Sequence, residues 1–299
     1  MNWKQDLLVL AYMLLFCGSV AGMLWWQKRR RKTRLPFNEE FKLLRGPGET
    51  QLKLVQEFSE DGVFWMLAAA FVPAVVASVL LLGTARLPTQ FQVGGAAVTL
   101  VASIVSFYLS ARWFSGKTKE IGNRYLGYFG ERVVAEHLDQ LKAAGWRVFH
   151  DVPCEAGKAK FNIDHIAVGA GGVFVLETKT RRKGSARPGF DDHKVFFDGR
   201  SLVWPWGEDN HGLEQAERNA VWLADTLKSE LGERFHVSPV LVLPGWWLEN
   251  KPSRESRLCQ VMNPKWLAER LGKQRPVLDD RQISSISAKL ESRCRDVEY

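Results

Sequence analysis

The chain has 299 residues, with 41 Lys+Arg against 33 Asp+Glu and four cysteines. That length supports one or two domains with a real core, and Cys17, Cys154, Cys259 and Cys294 lack the paired C-x-x-C spacing of a zinc or redox centre. Residues 1–114 carry 12 basic and 7 acidic side chains and residues 115–299 carry 29 and 26, so most of the +8 belongs to the N-terminal third and does not itself mark a nucleic-acid partner.

Three uncharged stretches come first. Residues 7–27 lie between Asp6 and Lys28, 62–85 between Asp61 and Arg86, and the third between Arg86 and Arg112, with its apolar part in AAVTLVASIVSFYLS. About 20 apolar residues cross a bilayer, and a globular core helix would show a polar face that these runs lack. The sequence therefore predicts a first transmembrane helix in 1–27, a basic cytoplasmic loop over 28–61, and a transmembrane hairpin over 62–114. Nine Lys/Arg fall in 28–61, whereas the 84–94 connection carries only Arg86. Basic loops stay inside. An integral protein of an inner or plasma membrane is expected, with its N-terminus outside and everything after about 115 cytoplasmic. A cleaved signal peptide fits poorly, since the basic cluster follows the apolar run rather than preceding it. Trp25, Trp26, Trp65 and Trp113 stand near span ends, where interfacial aromatics belong.

From about 115 the pattern alternates between helical and strand periods. GERVVAEHLDQLKAAGW predicts an amphipathic helix with Val134, Leu138 and Leu141 inward, stopped by Gly145. WRVFHDV is a short strand, and FNIDHIAV and VFVLETKT flank the hairpin turn GAGG. HKVFFDGRSLVW is a second hairpin around Asp198-Gly199. GLEQAERNAVWLADTLKSEL is a helix, and VSPVLVLPG a strand buried on both faces. NPKWLAERLG opens with an Asn cap and Pro at the first helical position, and one short helix follows Pro276. With the second hairpin set aside as an insertion, the order is α-β-β-β-α-β, an α/β fold with helices packed on a mixed sheet. The domain is expected over 115–250, with a helical extension over 251–299.

The first hairpin holds charges where a sheet prefers none. If Val168 pairs with Val173, Asp164 falls opposite Glu177, and alternation puts Lys179 on the face of Glu177, beside Ile166, Val168, Val173 and Val175. Two carboxylates that close are unfavourable unless a cation lies between them. Mg²⁺ or Mn²⁺ suits this donor set, keeping waters and substrate phosphate oxygens in its other positions, with Lys179 assisting attack or stabilising phosphate charge. Glu131, three before Val134 and seven before Leu138, falls on the apolar face of its helix and is a third candidate ligand; it is also a first-turn Glu of the kind the helix dipole favours. Lys158 and Lys160 precede the first strand, and Arg181, Arg182, Lys183 and Arg187 follow the second. They bracket the cluster as a phosphate-binding surface would, or form a solvated loop. The same charges also admit an Asp–Lys ion pair on an edge hairpin. His165 follows Asp164 but points to the opposite face, as a structural residue. Asp191, Asp192 and His193 read as a turn or strand start rather than metal ligands, and Trp204, Trp206, Trp246 and Trp247 as packing on the sheet's rim or, alternatively, as faces on which unpaired bases stack.

GERVVAEHL, FNIDHIAVGAGGVFVLETKT and GLEQAERNAVWLADTL together resemble the NERD (nuclease-related domain) family of the PD-(D/E)XK superfamily, over roughly residues 124–245. The resemblance implies a restriction-endonuclease-like core and metal-dependent phosphodiester cleavage, with Glu131, Asp164, Glu177 and Lys179 at the active-site positions and Gln215 as the helix glutamine. It says nothing of the apolar spans. The expectation is a membrane-anchored, metal-dependent nuclease acting on cytoplasmic DNA, with RNA and an oligomeric state left open. The alternative is a nuclease-like fold that binds nucleic acid or a protein partner at the membrane without cutting. Intact Asp164, Glu177 and Lys179 favour the nuclease, because a retired site has no reason to keep destabilising charges.

Overall fold

The structure is a computed structural model describing residues 42–184, 186–251 and 258–297, with scattered helical positions between Ala11 and Trp26. In chain order the elements are β1 (Leu43–Leu44), α1 (Glu49–Thr84), α2 (Thr89–Asp139), β2 (Arg147–Ala156), β3 (Ala159–Gly169) and β4 (Gly172–Thr178). Then come β5 (Lys194–Phe197), β6 (Leu202–Trp204), β7 (Gly207–Glu208), α3 (His211–Leu231), β8 (Val237–Val242) and β9 (Trp247–Asn250). The chain ends with β10 (Gln260–Met262), α4 (Leu267–Gly272), α5 (Asp280–Cys294) and β11 (Arg295–Val297). Two compact units result: one holds Asp61–Lys117, the other Lys42–Glu60 and Thr118–Glu298.

In the first unit α1 and α2 meet through small residues. A Cβ at Gly95 would stand 2.7 Å from Thr84 Cγ2, and the Thr84 and Thr99 hydroxyls are 3.0 Å apart. Of the three spans expected, one helix among the described residues is long and apolar enough to cross a membrane. It begins at Thr89, and Val93, Val98, Ile104 and Phe107 on it are exposed. Within the second expected span the described residues include a shorter apolar helical stretch, Phe71–Thr84, and the span expected over 7–27 lies outside the described residues apart from those scattered positions. Two expected boundaries are not breaks. Residues 49–61 are the first turns of α1 rather than loop, and α2 runs unbroken through 115, because neither junction carries a proline to stop the helix. Helical structure ends at Gly145, whose φ of 81° only glycine adopts readily.

The second unit is built on a five-stranded sheet of order β10-β8-β4-β3-β2. β2, β3 and β4 form an antiparallel meander, and β8 and β10 run parallel to β4. α2 packs on one face, with Val134 and Leu138 against Ala167, Phe174 and Leu176. α3 and α5 cover the other: Ala220, Leu223 and Leu227 with Ile286 and Leu290 meet Ile166, Val168, Val173 and Val175. The expected α-β-β-β-α-β order is present. The stretch set aside as an insertion is instead the start of a second sheet, β7-β6-β5-β9, because Lys194–Phe197 pairs in parallel with Trp247–Asn250. Nor is the region after 251 only a helical extension. β10 is an edge strand of the main sheet, α5 supplies core residues, and β11 pairs with β1. Cys154, Cys259 and Cys294 are buried thiols.

Candidate active site

The β3–β4 turn is tighter than four residues: Gly169 pairs with Gly172, leaving Ala170 and Gly171 at the tip. The register is as expected, with Val168 opposite Val173 and the ladder running to His165 opposite Leu176. Asp164 and Glu177 stand one step beyond. There the ladder gives way, and the Thr178 N–H donates to Asp164 Oδ2 at 2.7 Å. Alternation also slips here, since Ile163 and Ile166, three apart, both pack in the cluster under α3. Across the strand Asp151 of β2 has a φ of 47°, in the left-handed region.

Glu177 is 1% exposed and turned toward α3. Lys179 Nζ donates to its Oε1 at 2.7 Å and Asn219 Nδ2 to its Oε2 at 3.3 Å. Lys179 also donates to Gln215 Oε1 at 2.9 Å. Gln215 and Asn219 are four apart, so one helix face serves both ends of the pair. Gly212 lets the helix start close to the strand: a Cβ there would stand 2.9 Å from Lys179 Cγ and 3.0 Å from Leu241.

Glu131, 7% exposed, reaches the strand ends from the α2 side. Gly130 makes that approach possible, because a Cβ at this position would lie 1.8 Å from Thr180 Oγ1. Burial, then the charges of Asp151 and Glu177, push the Glu131 carboxyl up to about 8, with the Gly48 amide and Lys179 opposing. Asp164 is partly exposed along its length, yet burial of its carboxyl holds it well above the usual range, reinforced by Glu177 and Glu131. Glu177 is raised by burial and drawn back by Lys179. Three acids thus feel one another with one lysine among them.

They do not surround one point. Among the described residues no three His, Cys, Asp or Glu are grouped closely enough to hold a metal ion, so the expected Asp164–Glu177–Glu131 ligand triad is not assembled. The reason lies in the layers: Glu177 is bonded into the α3 face, whereas Glu131 belongs to the helix on the opposite face. A smaller set does fit. Asp164 and Glu177 are hard oxygen donors at adjoining strand ends, their protonation favoured by burial without a nearby cation sufficient to offset it, and one or two carboxylates suffice for Mg²⁺.

Sequence reasoning missed the support around Asp151. This residue is 4% exposed, and its Oδ2 accepts from Arg45 Nη1 at 2.8 Å, the Thr50 N–H at 2.9 Å and Thr50 Oγ1 at 2.6 Å. Asn162 Nδ2 donates to Oδ1 at 2.9 Å, and Arg45 spans on to Asp296 at 2.6 and 2.8 Å. An aspartate inside the apolar run RVFHDV was the available signal for Asp151. Arg45 and Thr50, about a hundred residues away, gave none. Asn219 was signalled only by its spacing from Gln215.

The six expected phosphate-binding residues do not form one patch. Lys158 and Lys160 sit at the exposed β2–β3 turn, Lys160 3.6 Å from Glu155. Arg181 pairs with Asp209 at 2.9 Å, and Arg182 donates to the Gly122 carbonyl at 3.1 Å. Lys183 lies over the Trp246 ring, and Arg187 over Phe190. All six are exposed, but five have protein partners that a phosphate would compete with. His165 is fully buried with its Nδ1 2.9 Å from that of His150. Burial holds His150 down to about 4 and His165 well below the usual range, so both are neutral and structural. Asp191 and Asp192 occupy a turn, paired with Lys194 and His193. Trp204 and Trp246 are buried, as rim packing requires, whereas Trp206 and Trp247 are exposed.

No curated protein and no solved structure matches the chain. Residues 126–244 match the family model of NERD, the nuclease-related domain, so the chain carries such a domain over the stretch that contains Glu131, Asp164, Glu177, Lys179 and Gln215.

Proposed function

We propose that this domain is a metal-dependent nuclease hydrolysing phosphodiester bonds of cytoplasmic DNA from a membrane-anchored chain. The observation that carries it is Lys179, held between Glu177 and Gln215 at the strand end where Asp164 is also placed. Asp164 and Glu177 would hold Mg²⁺ or Mn²⁺. Such an ion polarises the phosphate and lowers the pKa of a bound water. The Lys179 ammonium has three protons, of which two are directed at Glu177 and Gln215. The third is available to a phosphate oxygen or the attacking water, where it stabilises charge that grows in the transition state. Gln215 and Asn219 fix the directions of Lys179 and Glu177, so little reorganisation is needed when substrate arrives. Glu131, its carboxyl raised to about 8, stands behind the strands as a mostly protonated acid at neutral pH. The helix beginning at Thr89 supports anchoring, and the nine Lys/Arg of 28–61 support a cytoplasmic domain.

The purified full-length chain, incubated with plasmid, linear DNA and RNA in Mg²⁺, Mn²⁺ or chelator, tests this. Metal-dependent cleavage abolished by Asp164→Asn and by Lys179→Ala is expected. The second reading is a non-catalytic module binding nucleic acid or a protein partner at the membrane, and the bonds that tie Glu177 to Lys179 and Asn219 are the observation that suits it. Nucleic-acid binding without cleavage under every condition would establish that reading instead.

A further inference from the structure

Beyond residue 244, where the family match ends, the chain builds a cleft that the nuclease reading leaves unused. Its volume is about 1070 Å³, and it lies between β9, β10 and the segment around α4. Trp247 and Trp266 line it and are 65% and 58% exposed. An indole left that open loses apolar burial, and two lining one cleft call for a function. Lys265, Arg270 and Lys273 line it with one acid, Glu269, which Lys273 neutralises at 2.6 Å. Lys265 and Arg270 are both exposed. Flat aromatic faces with exposed cations suit stacked bases and the phosphates joining them.

The cleft adjoins the candidate active site through backbone contacts. The Lys179 N–H donates to the Val242 carbonyl at 3.0 Å, and the Leu243 N–H to that of Met262 at 3.0 Å. Asn263 Nδ2 then donates to the Trp246 carbonyl at 3.1 Å. The C-terminal ends of β4, β8 and β10 therefore stand side by side, and two strand spacings separate Lys179 from the cleft wall, roughly 10 Å. Stacked nucleotides advance about 3.4 Å each, so three cover the gap. Lys183 Nζ, 5.7 Å from the centre of the Trp246 ring, supplies a cation at the junction.

We infer that the cleft binds single-stranded nucleic acid, receiving an unpaired tail of the substrate whose phosphodiester lies at Lys179. This rests on the nuclease reading for its direction. A duplex hides its base faces from Trp247 and Trp266, so selectivity for unpaired strands follows. The test uses the full-length chain in chelator, with fluorescent single-stranded DNA and RNA oligonucleotides and a blunt duplex of the same sequence, followed by anisotropy and by quenching of tryptophan emission. Single strands are expected to bind at least tenfold tighter than the duplex. Trp247→Ala with Trp266→Ala should weaken single-strand binding by tenfold or more and leave duplex binding unchanged, as loss of base stacking does. Trp247→Phe with Trp266→Phe, which keeps a ring to stack on, should retain most of the affinity and shows that the cleft still folds. Equal affinity for both forms, or alanine variants that bind like the parent, overturns the inference. Because no cleavage occurs in chelator, the result is independent of whether Lys179→Ala abolishes cutting. A nuclease that cuts but ignores these tryptophans loses the cleft and keeps the activity.

Discussion

Lys179 is held from two sides, so its partners can be removed separately. Lys179→Ala should lower cleavage by about 100-fold or more, the usual cost of losing a donor aimed at developing charge. Gln215→Ala leaves the ammonium and its bond to Glu177 in place, and should cost roughly tenfold through misplacement alone. Single-turnover rates with saturating metal separate the two. The acids give a pH signature of their own. The Glu131 carboxyl is raised to about 8 in the folded chain, so the fold binds more protons than the unfolded chain between its ordinary value and 8. Its contribution is present at low pH and is lost as pH rises toward 8. The buried His150–His165 pair acts oppositely and lower down. With His150 held to about 4, stability is lost as pH falls from about 6.5 toward that value. Thermal denaturation in chelator should therefore show the melting temperature falling between pH 6.5 and 8, and Glu131→Gln should make that limb shallower, the raised Asp164 and Glu177 carrying the rest, without changing the acid one. An unchanged limb would mean that Glu131 is already ionised in the fold.

At the scale of elements, the approach of α2 to the strand ends depends on the missing Cβ of Gly130. Gly130→Ala should destabilise the domain by about 1–3 kcal/mol, the usual cost of overpacking, since the methyl would overlap Thr180 Oγ1. Adding Thr180→Ala should recover a good part of that loss, and urea denaturation of both single variants and the double gives the coupling. The meander containing this contact was legible in the sequence. A glycine turn pins β3 against β4, and strict alternation then fixes which residues oppose each other, down to Val168 and Val173. The bonds from α3 were half legible, because Gln215 marked a face that Asn219 shares. What could not be read is long-range pairing. β5 meets β9 across some fifty residues, and β1 meets β11 across most of the chain, with no local turn to announce either. The layer that separates Glu131 from Glu177 was hidden for the same reason: periodicity shows that a helix face is apolar, not which side of the sheet receives it.

For the whole molecule, the proposed topology, an anchoring helix from Thr89 followed by a cytoplasmic domain, can be measured. Reporters fused at the C-terminus should read cytoplasmic and one placed in the 84–94 connection external. An external C-terminus would remove the domain from cytoplasmic DNA. The bridge from Arg45 to Asp151 and Asp296 has a further consequence, for biosynthesis. Asp296 emerges from the ribosome 251 residues after Arg45, and β11 with it. At about 5–20 residues per second that interval is roughly 12–50 seconds. Once Asp151 has followed, Arg45 can meet it but not the second carboxylate, and β1 still has no strand to lie against. Nascent chains stopped short of residue 295 would therefore carry the β3–β4 hairpin without its final brace, and protease sensitivity near residues 43–50 would report when translation has passed that point.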